Sequence, residues 1–406
     1  MTAPLSGAPA TADGTPPLVL LLGAGNSIHV RRWAGALAGR GHRVVVLSWV
    51  PAEPIPGVEL RVAGGAGRAR PTWRWAACRL PATGWWFRQQ IHRIRPDVVH
   101  VHSVGTAGLL SLVAPQVARR VVTPWGSDLR IAARSRWRAW VAGAALRRAD
   151  LVVPTSRSVT EEVTRRYRVP ADRATTLSWG VDDDLIRARD AVDRAAVRAA
   201  FGIPADATVV LSMRTAAPLY RTDEILDAFR RAAPLRPDLH LVLLRGLAPA
   251  GALAAQQRCL ARAHDVARAL PGRITVVDRA VSPTEMFALM RTSAVAVSVP
   301  RWDQRSTTVL EAALAGCRLV LADLPAYREL VSDGLLADLV PEPLGPGLAE
   351  ALLRARPLTE ADQQAHRHLI ETRESWSHQV EAMRQLYRTV TGWQHVPDAA
   401  GSPAPR

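Results

Sequence analysis

Short, uninterrupted apolar runs return along this chain, and each is followed by a stretch with helical spacing. The first series runs through "PLVLLLGAG" (17–25), "HRVVVLSW" (42–49), "PDVVHVHS" (96–103), "RRVVTPWGSDL" (119–129) and "ADLVVPTSRS" (149–158). A second series follows with "TVVLSMR" (208–214), "LHLVLLRG" (239–246), "RITVVDRAV" (273–281), "AVAVSVP" (294–300) and "RLVLADL" (318–324). Runs with no polar alternation suit strands buried on both faces, and intervening helical patterns such as Val30, Trp33, Leu37 supply the covers. The reading is α/β, with parallel sheets built from strand–helix units. A chain of 406 residues exceeds one core, and the charged stretch 182–207 between the series marks a junction near 190. The expected division is a disordered tail over 1–16, a first domain over 17–190, and a second over 191–370. A helix over 371–393 and a second loose tail over 394–406 complete it. "SPTEMFALMRTS" carries Ser282 and Glu285 at capping-box spacing.

All 52 basic residues are arginine, giving a net charge of +16. Residues 1–150 hold 20 arginines against 6 acids, and nine of the 13 tryptophans. Such a half suits nucleic acid, an anionic lipid surface or a phosphorylated substrate, or reflects the arginine bias of a GC-rich genome. No helix-turn-helix or zinc-finger pattern is present, so no nucleic-acid partner is expected. The Arg- and Trp-rich stretch 68–95 reads as a membrane-facing helix or as an ordinary helix packed on the sheet. Three scattered cysteines, Cys78, Cys259 and Cys317, show no metal or disulfide spacing, and no basic leader precedes "LVLLLGAG". A cytoplasmic location is therefore expected, on the inner membrane face if the arginine–tryptophan stretch docks.

In parallel sheets, ligands bind beyond the carboxyl ends of the strands. Those positions here hold Gly25, Asn26 and His29, with Arg32 on the following helix. They also hold His102, Trp125, Ser127, Asp128, Arg214 and the segment "PRWDQRSTTVLEAALAG" (300–316). "GAGNSIH" lacks the third glycine of a dinucleotide fingerprint, with Ile28 in its place, and no acid follows the second strand to take a ribose. In 300–316, Asp303 and Glu311 stand eight residues apart around a helix start. A carboxylate takes two hydroxyls of a diol, and helix-start amides near Ser306 and Thr307 suit a phosphate or sugar oxygen. Asp303 or Ser306 could equally be a helix cap alone. Glu311 is flanked by Val309, Leu310, Ala312 and Ala313, so its helix is expected to be buried, where an acid needs a partner.

Taken in order, "GNSIHVRRWAGALAGRGHRVVVLS", "PDVVHVH", "WGSDL", "ADLVVPTSRS", "LSWGVDDDLI" and "WSHQVEAMRQLYRTV" resemble the retaining glycosyltransferases of family 4, over about residues 17 to 392. The resemblance implies a GT-B architecture, two Rossmann-like domains with a cleft between them and a last helix crossing back to the first. It implies a UDP- or GDP-sugar donor and a hydroxyl acceptor on a glycan, lipid-linked or small molecule. The reaction would be metal-independent, without cofactor. Glu311 would hold the donor ribose, and Asp303, an Asp in the first acid position, would lie beside the donor sugar. Arg214 would neutralise the diphosphate. The usual lysine is missing, which leaves Tyr220 or Arg221 near its place and Arg305 as a further phosphate cation. Trp125 replaces the histidine that usually precedes Gly-Ser-Asp, with His102 as another cleft candidate. Two different outcomes stay open on the same architecture: a sugar-nucleotide epimerase, or a sugar-nucleotide-binding protein without turnover.

Overall fold

The computed structural model describes residues 16–64, 73–248 and 250–393, with 73–80 and 250 described by their backbone alone. Both expected tails, apart from Pro16, and the side chain of Cys78 therefore lie outside the described residues, as do 68–72 of the arginine–tryptophan stretch. The chain forms two compact units. One gathers residues up to Leu177 and those from Val380 on; the other spans Ser178–Gln379.

Unit 1 is built on a six-stranded parallel sheet in the order β3-β2-β1-β4-β5-β6. Its strands are β1 (Val19–Leu22), β2 (Val44–Ser48), β3 (Glu59–Val62), β4 (Val98–His102), β5 (Arg119–Thr123) and β6 (Leu151–Val152). Unit 2 repeats the pattern in the order β12-β11-β10-β7-β8-β9. Its strands are β7 (Thr208–Ser212), β8 (Leu239–Leu244), β9 (Ile274–Val277), β10 (Val295–Ser298), β11 (Arg318–Ala322) and β12 (Ala337–Val340). The central strands are buried along their whole length, as their unbroken apolar runs require. Alternate residues feed opposite faces: Val210, Leu241 and Val297 join one core of unit 2, and Leu211, Val242 and Ala296 the other. Edge strands β3 and β12 escape the sequence reading. Each has four residues, most of them half-exposed, so neither shows a buried run.

Strand order reverses between β1 and β4 in unit 1 and between β7 and β10 in unit 2. At such reversals the following loops diverge to opposite faces and leave a crevice. The loops after β1, β4, β7 and β10 therefore have the positions for ligand contact.

The first unit boundary falls at Leu177–Ser178, ahead of the expected junction near 190. Residues 178–190 are tied into unit 2. Val181 pairs in parallel with Ser375, Ser178 Oγ donates to Glu374 at 2.5 Å, and the buried Arg189 Nε donates to the Leu314 carbonyl at 2.7 Å. Gly180, at φ +62°, allows this pairing: a Cβ there would meet the Glu374 carbonyl at 2.8 Å. The last helix spans Trp376–Thr391, and its Tyr387 hydroxyl meets His100 Nδ1 of β4 at 2.6 Å within unit 1.

Candidate functional site

In unit 2 the site grows from the two reversal strands. Arg214 stands just past β7, and Asp303 in the loop after β10. Arg214 Nη1 donates to Asp303 Oδ2 at 2.7 Å and to Ser306 Oγ at 2.6 Å. Its Nη2 donates to the Tyr220 hydroxyl at 3.2 Å, and the guanidinium lies 4.5 Å over the Tyr220 ring. Burial alone would lower the Arg214 pKa, but Asp303 beside it outweighs burial and holds the group above the ordinary arginine value. The two loops are also joined by the Arg301 amide, which donates to the Leu219 carbonyl.

Neither Asp303 nor Ser306 makes a side-chain capping bond to the following helix. The helix Thr307–Ala315 has Ser306 at its N-cap position without a side-chain capping bond. Ser306 Oγ is turned to Arg214 instead, and Asp303 Oδ1 accepts the amide of the adjacent Gln304 at 2.9 Å. Thr307 opens this helix. Val309, Leu310 and Ala312–Ala315 are buried, while Thr307, Thr308 and Glu311 are half-exposed. The helix is buried around Glu311, as its apolar neighbours lead one to expect.

Arg221 takes a left-handed conformation at φ +54° directly before the helix Thr222–Ala232. Its side chain is buried. Nη2 pairs with Glu342, Nη1 lies 3.8 Å from Glu224, and neither Nε nor Nη1 makes a hydrogen bond. Buried guanidinium donors in this state suit an added anion. Arg305 differs from expectation. Its guanidinium donates to Asp333 at 2.7 Å and to Glu374 at 2.6 Å with only 8% of the side chain exposed, so it ties the loop after β10 to two carboxylates of unit 2.

In unit 1, the turn after β1 is shaped by close approach. A Cβ on Gly23 would meet Val30 Cγ2 at 2.7 Å, and one on Gly25 would meet Ala52 at 3.0 Å. The Gly25 amide donates to Ser48 Oγ at 2.9 Å, and Asn26 is exposed. His29 meets the Trp125 ring edge-on at 5.4 Å. Burial, with help from the neighbouring Arg32, lowers the His29 pKa to about 4. His102 ends β4, stacked 4.3 Å from His100. His100 has both nitrogens engaged, by Tyr387 and Thr123. His102 is 1% exposed, and neither of its nitrogens has a hydrogen-bond partner among the described residues. Burial first, then His29, pushes its pKa down to about 3, so it is a neutral imidazole. Asp128 departs from the expected ligand role. Its carboxylate accepts the amides of Val104, Trp125 and Leu129 at 2.7, 3.0 and 2.8 Å, pinning the loops after β4 and β5 together. Ser127 starts the helix Ser127–Ala132 beside it.

The sequence reading missed Tyr327, Ser298 and Glu342. Tyr327 lies in the helix Pro325–Ser332 and is fully buried, with its hydroxyl donating to Asp303 Oδ2 at 2.8 Å and 3.0 Å from Ser298 Oγ. Nothing local in "LPAYREL" marks that contact.

The profile of Glycosyltransferase Family 4 matches residues 24–185. A D-inositol 3-phosphate glycosyltransferase of Saccharomonospora viridis is 30% identical over 250 residues, covering 59% of this chain and 56% of that protein. The chain thus spans little more than half the length of that relative. A phosphatidyl-myo-inositol mannosyltransferase of Mycobacterium tuberculosis is 25% identical over 391 residues, covering 90% of this chain and 93% of that one. Among solved structures, a sucrose-phosphate synthase of Thermosynechococcus elongatus superimposes with a TM-score of 0.74 at 19% identity, over 93% of this chain and 99% of that one. Anabaena Alr3699/HepE in complex with UDP does so at 0.70 and 16%, over 92% and 100%. Residues 24–185 thus resemble Glycosyltransferase Family 4, and two parallel six-stranded sheets together with these structural neighbours give the chain a GT-B type fold of two Rossmann-like units.

Proposed function

We propose that the protein is a retaining glycosyltransferase that moves a hexose from a UDP- or GDP-sugar to an acceptor hydroxyl, without a metal. The observation that carries this is the Arg214–Asp303–Ser306 cluster, set where strand order reverses and continued by the buried Arg221, whose Nε and Nη1 make no hydrogen bond among the described residues. In the reaction the bond from the anomeric carbon to the diphosphate breaks and a bond to the acceptor oxygen forms on the same face. The acceptor proton passes to the departing phosphate oxygen. Negative charge grows on the diphosphate, and the cations aimed there are Arg214 and Arg221, with the helix-start amides at Thr307 beside them. Glu311 takes the ribose hydroxyls, and Asp303 Oδ1 keeps a lone pair for a sugar hydroxyl. His102, neutral and unpartnered, accepts or donates to an acceptor hydroxyl, and His29, Arg32, Asn26 and Trp125 line the same loops. A fold relative bound to UDP is consistent with this donor class.

The acceptor is lipid-linked in this reading, and unit 1 docks on an anionic membrane face. The helix Arg136–Arg147 exposes Trp137 by 60% and Trp140 by 53%, with the two rings stacked at 5.0 Å. Ile131 is also exposed, and six arginines fall between Asp128 and Asp150 with no acid among them. Trp85, of the stretch singled out in the sequence, is exposed as well. Among the described residues no helix is long and apolar enough to cross a membrane.

Incubation with UDP- and GDP-hexoses and a lipid-extract acceptor tests the reading. UDP or GDP release with sugar transfer is expected, and Arg214→Ala should cut kcat/KM about 100-fold, the scale for losing one charge-stabilising donor. Sugar interconversion without nucleotide release, or full donor affinity in Glu311→Ala, would overturn it.

A further inference from the structure

Asp303 is more constrained than a sugar ligand needs to be. Its Oδ2 accepts from both Arg214 Nη1 and the Tyr327 hydroxyl, and its Oδ1 from the Gln304 amide. Three donors converge on one short side chain, and two of them come from outside its loop. Tyr327 is 0% exposed, and its phenol is held far above the ordinary tyrosine value by burial and then by Asp303, so it is a hydroxyl donor at every working pH. A carboxylate only accepts, so the proton direction is fixed: Ser298 Oγ–H donates to the Tyr327 oxygen, and Tyr327 O–H donates to Asp303. The chain of bonds runs from the end of β10 through a buried ring to Asp303, and from there to Arg214.

Arg214 is aimed by what it touches. Asp303 and Ser306 share Nη1, and Tyr220 takes Nη2 and lies under the guanidinium plane. If the carboxylate moved, the guanidinium would lose its strongest fixed partner. The Tyr327 hydroxyl is held 2.8 Å from Asp303 Oδ2. One more methylene on the acid would drive the carboxylate into that hydroxyl, and removing the hydroxyl would open room for it.

We propose that Tyr327 is a positioning residue that sets the reach of Asp303, and through it the aim of Arg214 at the donor diphosphate. Asp303 and Tyr327 then form one size-matched unit, in which either partner changes only with the other. The inference rests on the donor role given above to Arg214.

The test is a double-mutant cycle of Asp303→Glu and Tyr327→Phe, read by calorimetric binding of UDP and of GDP and by thermal unfolding. Binding of a nucleotide needs no acceptor, so the cycle does not depend on knowing one. For the nucleotide that the wild type binds, each single variant should weaken affinity about tenfold, the scale of one lost charge-assisted hydrogen bond. The double variant should return to within about threefold of wild type. Losses that multiply in the double variant, or a Tyr327→Phe protein that melts lower yet binds the nucleotide unchanged, would overturn the inference and leave the transferase reading in place. A folded wild type that binds neither UDP nor GDP would overturn both.

Discussion

His102 is a buried imidazole with no partner on either nitrogen, a state that costs the folded chain stability and makes sense at a ligand site. Its folded pKa of about 3 lies below the ordinary histidine value. Below pH 6.5 the unfolded chain therefore binds a proton that the folded chain refuses, and stability falls as pH drops from 6.5 toward 3. At pH 5 the penalty from this one residue is about 2 kcal/mol. His102→Phe should remove that share of the acid-side loss, keep or raise the melting temperature at pH 7, and lower kcat. Denaturant melts of both proteins at pH 5 and 7, with turnover alongside, check this. An unchanged pH slope would show that His102 is hydrated and not dry. The sequence placed His102 at a strand end but left open whether it was a bonded core histidine. Its neighbour His100 is one, and only the three-dimensional partners separate the two.

At the scale of elements, local signals read well where the bonding is local. The helix Pro283–Thr292 begins with the capping box read from Ser282 and Glu285, and both reciprocal bonds are present. Ser282→Ala should cost about 1 kcal/mol, seen as a lower denaturation midpoint at unchanged slope. The helix Arg136–Arg147 could not be read so simply. Trp137 and Trp140 are exposed while Val141, Ala142 and Ala145 of the same helix are buried. Trp137→Ala with Trp140→Ala should weaken co-sedimentation with phosphatidylglycerol vesicles about tenfold or more, with little change in binding at neutral phosphatidylcholine. Binding should also fall as salt rises, since the arginines supply the attraction. Equal binding by the double variant would remove the patch from the membrane reading.

For the whole molecule, there is no lysine, so each phosphate contact from a permanently cationic side chain must be a guanidinium. An arginine reagent such as phenylglyoxal should inactivate the protein, UDP or GDP should slow the loss, and amine-reactive esters should find no lysine side chain to block. Inactivation that no nucleotide slows would detach the reactive arginines from the donor site. By itself the sequence determined the α/β class, the two parallel sheets and the loops at strand ends where function would gather. Hydrophobic period, tight glycine turns and caps are encoded within a few residues of where they act. Tertiary structure alone decided which of those loop side chains are free. Arg305 was lost to Glu374, 69 residues away, Asp128 to the amide of Val104, and Asp303 was clamped by Tyr327, 24 residues on. The edge strands β3 and β12 were likewise settled only by pairing, because half-exposed segments of four residues carry no buried run to read. Burial and pairing are properties of elements brought together by the fold, and a charged residue's task depends on the partner it meets there.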